Sequence, residues 1–164
     1  QQTLPVGEAT TAFALSLSTV GVGFLLHELA HKVVAVRFGQ VAEFRADYGM
    51  LFLAIVAAMA GFLFAAPGAV HHRGRISKRQ NGLIALAGPV VNIVLAVGFL
   101  LLAFLGRGFL VDVGVLGFMV NAFLGAFNML PFGALDGRTV LDWSVTAFAA
   151  GIAAPAAMLA WWFL

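Results

Sequence analysis

Two histidines four residues apart, with a glutamate beside the first, are the side chains of this sequence best suited to chemistry: His27-Glu28-Leu29-Ala30-His31. On a helix, positions i and i+4 share one face, so both imidazoles can reach one metal ion while Glu28 stands next to them. Two imidazoles on a metal with an adjacent carboxylate are the equipment of metal-assisted hydrolysis, in which the cation polarises a water and the carboxylate takes its proton. The surroundings sharpen this reading. The run from Ala12 to Leu26 carries no charge, and Val33 to Val36 continues the apolar character. Ionisable groups at membrane depth are costly and point to function. The competing reading, two buried histidines satisfied by neighbouring polar groups, weakens where no water is at hand.

A hydrolytic zinc usually takes three protein ligands and keeps one position open, so two histidines are not enough. The candidates for a third are Asp112, Asp136, Asp142, Glu8, Glu43, Asp47, His71 and His72. Asp136 stands out because it lies in Asn128-Met-Leu-Pro-Phe-Gly-Ala-Leu-Asp-Gly137. There Pro131 ends a helix, and Gly133 and Gly137 allow the irregular backbone that turns a carboxylate inward. On the residues alone, a second role fits Asp136 equally: capping the helix that follows. His71-His72 sits beside Arg73 and Arg75 and reads more simply as a solvated basic loop.

A third polar element is Ala87-Gly-Pro-Val-Val-Asn92. Gly88 and Pro89 are expected to loosen a spanning helix near its start. Asn92, one turn later, could donate to a carbonyl oxygen as negative charge develops there. It could also serve as hydrogen-bonding glue between helices. If the apolar stretch Met50–Ala66 re-enters rather than spans, counting along the helices places His27 and Asn92 at the same depth, roughly 14 Å from one membrane face at ~1.5 Å per residue. Asn121 lies two turns before Asn128 and reads as structural.

These residues need apolar elements to hold them, and the composition provides little else. Of 164 residues, 62% are hydrophobic and 10% charged, with a mean hydropathy of +1.03. That is an integral membrane protein, expected as a single domain over 1–164 with its core motifs between 27 and 137. The absence of cysteine excludes disulfides, thiolate metal sites and thiol nucleophiles. A net charge of +2 does not suggest a nucleic-acid partner. No charged leader precedes a cleavage site after Gln1, so no signal peptide is expected. Four segments are long enough to span: Ala12–Val36, Leu83–Leu105, Val111–Leu130 and Val140–Leu164, the last containing Pro155 and ending near Trp161-Trp162.

A fifth apolar stretch, Met50–Ala66, is short for a span. If it re-enters, Lys32, Arg37, Arg45, Arg73, Arg75, Lys78, Arg79 and Arg138 share one side and only Arg107 lies opposite. The positive-inside tendency favours that layout, with the active-site face towards the cytoplasm. Val41–Tyr48 and Gly68–His72 are expected as short strands against the membrane surface. The fold class is therefore an all-α polytopic membrane protein of about four spanning helices, one re-entrant or short apolar segment and a small membrane-edge strand element.

His27-Glu28-Leu29-Ala30-His31, then Gly88-Pro89-Val90-Val91-Asn92, then Phe127-Asn128 through Leu135-Asp136-Gly137, in that order, resembles the site-2 protease family of intramembrane zinc metalloproteases, most closely its compact archaeal and bacterial members. The resemblance implies one Zn²⁺ per chain on His27, His31 and Asp136, with Glu28 activating water. It implies that Asn92 and Asn128 contact the substrate backbone or the oxyanion. It further implies regulated cleavage of transmembrane protein substrates within the cell membrane. One departure is local: the family commonly has a second glycine after Asp-Gly, where this chain has Arg138. Met50–Ala66 looks like an insertion between the edge strands. The alternatives are a metal transporter or an inactive metal-binding scaffold. A transporter would not need Glu28 beside its first ligand, and a scaffold would be betrayed by a missing site residue. The oligomeric state is left open.

Overall fold

The computed structural model describes residues 6–46, 68–73 and 76–164. Met50–Ala66, and with it the re-entrant expectation, lies outside the described residues. Helix α1, Val6–Ser16, runs into a π-helical turn, Leu17–Gly21, and continues as α2, Val22–Arg37. Together they contain a 31-residue apolar helical stretch, Gly7–Arg37. At ~1.5 Å per residue this is roughly 46 Å, longer than a ~30 Å hydrocarbon core. The π turn shifts the helix register, and Thr19 within it is fully buried, its hydroxyl donating to Leu15 O at 2.7 Å.

The end of α2 is a Schellman stop. Gly39, at φ 74°, donates to Val36 O at 2.9 Å, and Gln40 donates to Ala35 O at 3.0 Å. Only glycine takes that backbone without strain, so the apolar helix halts there and the chain turns into a strand. β1, Val41–Ala46, pairs antiparallel with β2, Gly68–Arg73, from Val41↔Arg73 to Ala46↔Gly68. Both strands pack against α2.

α3, Lys78–Leu105, opens with a reciprocal capping box: Gln80 N–H donates to Ser77 Oγ at 3.2 Å and Ser77 N–H to Gln80 Oε1 at 2.9 Å. The box starts the helix five residues before the apolar run that marks its span. α3 is unbroken through Gly88 and Pro89, so the expected loosening does not occur. It is the central helix, packing on α2, on α4 (Phe109–Asn128), on the short α5 (Asp136–Trp143) and on α6 (Val145–Phe163).

The α3–α4 contact is close because small residues line it. A β-carbon on Gly114 would collide with the Ala103 backbone, and one on Gly117 with the Phe99 ring. Ala96, Phe118 and Ala122 form the buried cluster at this crossing, with Trp162 against Phe118 at 5.2 Å between ring centroids. The last span begins at Val145 rather than Val140. Ser144 is extended, at φ −155° and ψ 114°, and accepts from Ala147 N–H at 3.2 Å, so residues 140–143 belong to α5 instead. Among the described residues, four helices are long and apolar enough to cross a bilayer: Gly7–Arg37, Lys78–Leu105, Phe109–Asn128 and Val145–Phe163. That is the architecture of a multi-pass membrane protein.

Candidate metal centre

His27 and His31 project from one face of α2 towards α3, and both are buried. Their imidazoles meet edge to face, with centroids 4.7 Å apart. His27 Nδ1 lies 2.6 Å from Asn92 Oδ1, and His31 Nδ1 lies 2.7 Å from Ile84 O. A carbonyl oxygen only accepts, so in each ring Nδ1 is the donor and a neutral imidazole carries its lone pair on Nε2. The same preference for an outer carbonyl partner is usual in metal-ligating histidines.

The two Nε2 atoms are 3.0 Å apart. Asp136 Oδ2 stands 3.2 Å from His27 Nε2 and 3.3 Å from His31 Nε2. Three lone-pair atoms thus converge, and Asp136 Oδ2 is buried with no hydrogen-bond donor among the described residues. A buried orphan acceptor is costly, and three together call for a cation. The spacing suits one. Ligand atoms held at ~2.0–2.1 Å around a tetrahedral ion are separated by roughly 3.3 Å. In place of a metal, only protons on the imidazoles could reconcile the three atoms. Burial pushes the Asp136 carboxyl up, and against an imidazole proton the contacts to His27 and His31 outweigh that and hold it below the ordinary carboxylate range. Donor set, spacing and orphaned oxygen all fit zinc.

Backbone features set Asp136 in place. It is the first residue of α5, after an extended Leu135, and its side chain makes no cap, so the capping alternative is not what the structure adopts. Pro131 and Phe132 lie in the turn before it, and Gly133 has φ 65°. A β-carbon on Gly137 would collide with the Met129 and Leu130 carbonyls. Of the other acidic candidates, Glu8, Asp112 and Asp142 are exposed and take no part in the cluster. The side chains of Glu43, Asp47, His71 and His72 lie outside the described set.

Gly88 has a role the sequence reading did not assign. A β-carbon there would stand 2.5 Å from His31 Nε2 and 2.6 Å from His27 Nε2. Its missing side chain is the space the imidazole tips occupy. Asn92 is fully buried and fully spent: Oδ1 faces His27, while Nδ2 donates to Gly23 O at 3.3 Å and to Asn121 Oδ1 at 2.9 Å. Both its amide hydrogens are spent, none is left for a developing oxyanion, and its oxygen faces the His27 imidazole. Asn128, at the end of α4, is half-buried and donates to Leu124 O at 3.0 Å. Glu28 is buried on α2 beside His27.

The chain is 44% identical over 136 residues to a protein of Methanocaldococcus jannaschii provisionally named a zinc metalloprotease, covering 80% of this chain and 71% of that relative. This chain belongs to that zinc metalloprotease family. A second relative with the same provisional name, from Bacillus subtilis, is 33% identical over 146 residues, covering 76% of this chain and 66% of its own length. The chain therefore spans about two thirds of the length of these curated metalloproteases. No family model matches it. No solved structure does either. Within this zinc metalloprotease, the His27–His31–Asp136 cluster is the one group of three potential metal ligands among the described residues.

Proposed function

We propose that the chain is an intramembrane zinc endopeptidase of the site-2 protease type, hydrolysing peptide bonds in transmembrane segments of protein substrates. The observation that carries this reading is the convergence of three bare acceptor atoms, two of them on an apolar helix of spanning length, beside a buried glutamate. One zinc per chain on His27, His31 and Asp136 would supply Lewis acidity and a water acidic enough to be deprotonated near neutrality.

The chain's own groups do the rest. Glu28 accepts the proton of the attacking water and returns it to the leaving amide nitrogen, so one carboxylate serves as base and then as acid. Asn92 holds His27 with its lone pair towards Asp136. Asn128 spends one amide hydrogen on Leu124, and its second is assigned to a substrate carbonyl. A transmembrane helix hides its carbonyls in its own hydrogen bonds and has to be drawn out before cleavage. The β1–β2 sheet, set at the membrane edge against α2, supplies an edge strand for that purpose. The sheet faces the cytoplasm, the side to which the basic residues are assigned. The partners are a membrane-embedded protein substrate and the lipid bilayer.

The test is cleavage of a purified single-span substrate by the purified protein in detergent or bilayers, with and without a zinc chelator. Cleavage that stops on chelation and returns with zinc is expected. A zinc-loaded protein that leaves transmembrane substrates intact would refute the assignment.

A further inference from the structure

Asn121, on α4, reaches the metal centre only through another residue. Its Nδ2 donates to Gly117 O at 2.8 Å, and its Oδ1 accepts from Asn92 Nδ2 at 2.9 Å. Asn92 in turn gives its second amide hydrogen to Gly23 O at 3.3 Å and accepts from His27 Nδ1 at 2.6 Å. Both asparagines are fully buried. The chain has been built around this pair: a β-carbon on Gly23 would stand 2.6 Å from Asn121 Oδ1.

The polarity of this chain of bonds is its content. An asparagine amide has nearly the same shape after a half-turn, so packing alone does not decide which end is oxygen. Backbone carbonyls decide it here. Gly117 O can only accept, so the Asn121 NH₂ faces it and Oδ1 faces Asn92. Asn92 then meets two acceptors, Asn121 Oδ1 and Gly23 O, and turns its own NH₂ to them. Its oxygen is left for His27, whose Nδ1 has to donate and whose Nε2 lone pair is left pointing at Asp136. The reversed Asn92 would offer N–H to His27 Nδ1, move the ring proton to Nε2 and place a hydrogen where the cation belongs.

We propose that Asn121 is a positioning residue for the metal centre, acting through Asn92 to set the tautomer of His27. The inference rests on the zinc reading of the site. Outer partners of ligating histidines are typically worth roughly 10–100-fold in metal affinity, and a partner one bond further out should lie near the lower end.

The experiment measures metal binding rather than cleavage: competition between the intact purified protein and a chromophoric chelator, for Zn²⁺ and for Co²⁺, with the Co²⁺ absorption band reporting coordination. Wild type should bind one equivalent; a wild type that binds none would overturn the zinc reading and this inference with it. Asn121→Leu removes the acceptor while keeping the branched heavy-atom skeleton, and should weaken both metals roughly tenfold and alter the cobalt band. Asn121→Asp, as a carboxyl giving its O–H to Gly117 O and accepting from Asn92, repeats the native polarity and should restore both. Asn92→Ala combined with Asn121→Leu should bind no more weakly than Asn92→Ala alone, because the second change has lost its route to His27. Should the leucine variant not accumulate as folded protein, Asn121→Ala carries the same comparison. Native metal competition and an unchanged cobalt band in the Asn121→Leu or Asn121→Ala protein, with wild type binding normally, would refute the role while leaving the zinc site standing.

Discussion

Gly88→Ala is the smallest change that should empty the centre. The added carbon would stand 2.5 Å from His31 Nε2 and 2.6 Å from both Cε1 and Nε2 of His27. Non-bonded contacts of this kind settle near ~3.5 Å, so the two ring tips would have to retreat by about 1 Å. Metal–ligand distances tolerate only about ±0.2 Å. A misplacement of ~1 Å costs on the order of 10²-fold in a positioned reaction, and zinc affinity should fall at least as far. The fold should suffer little. Alanine gains about 1 kcal/mol of helix propensity over glycine, against an overpacking cost of ~1–3 kcal/mol, so the net loss is at most about 2 kcal/mol. Gly98, on the same helix, has nothing within 4 Å of its missing β-carbon. Gly98→Ala should therefore be neutral or slightly stabilising, with zinc and activity intact. The assay is zinc content after dialysis against a weak chelator, alongside thermal unfolding of both variants in detergent. A Gly88→Ala protein that keeps one zinc and cleaves at the native rate would show that the imidazole tips do not occupy the space this reasoning gives them.

Glu28→Gln keeps size and most hydrogen bonding but removes the proton acceptor, so zinc should stay bound while cleavage falls by roughly 10²–10⁴-fold; undiminished cleavage would end the proposed mechanism, and lost zinc would make Glu28 a structural group. Asp136→Ala and His31→Ala should each lose most of the zinc, read by elemental analysis, and full zinc in Asp136→Ala would remove Asp136 from the ligand set. Topology can be read with single cysteines, since the chain has none of its own. Residues introduced at Gln40 and Gln80 should be labelled from the same side of the membrane, and labelling from opposite sides would contradict the β1–β2 ladder between them.

Helix α2 and its polar cluster were plain in the sequence because His27, Glu28 and His31 announce themselves by period and by their apolar setting. Asp136 could be singled out because its loop combines proline and two glycines, although a cap remained equally consistent until the structure showed no capping bond. Less accessible were functions that reside in absent atoms or in direction. Gly88 next to proline reads as a weak point of a helix, and only the imidazoles opposite reveal it as space. Asn92 could be placed at the depth of His27, but spacing does not say which end of its amide faces what, and its NH₂, read as able to donate to a substrate carbonyl, is instead directed at Asn121 and Gly23. Other signals were present and under-read. Ser77 followed by Gln80 is a capping box, and Ser144 ahead of an apolar run marks the true start of α6. The π turn at Leu17–Gly21, packed on α4, leaves no compositional mark.

The cross-strand pair Ala46↔Gly68 has a consequence for modularity. Antiparallel partners are about 4.5–5.5 Å apart, a gap that two residues in a tight turn can close. To α2 and α3, everything from residue 47 to residue 67 is thus a single step across a ladder. What the ladder fixes for the two helices is this gap, which a two-residue turn would also preserve. Replacing that whole stretch by Asn-Gly should yield a shorter protein that still retains its zinc, and metal analysis of the shortened chain would decide it.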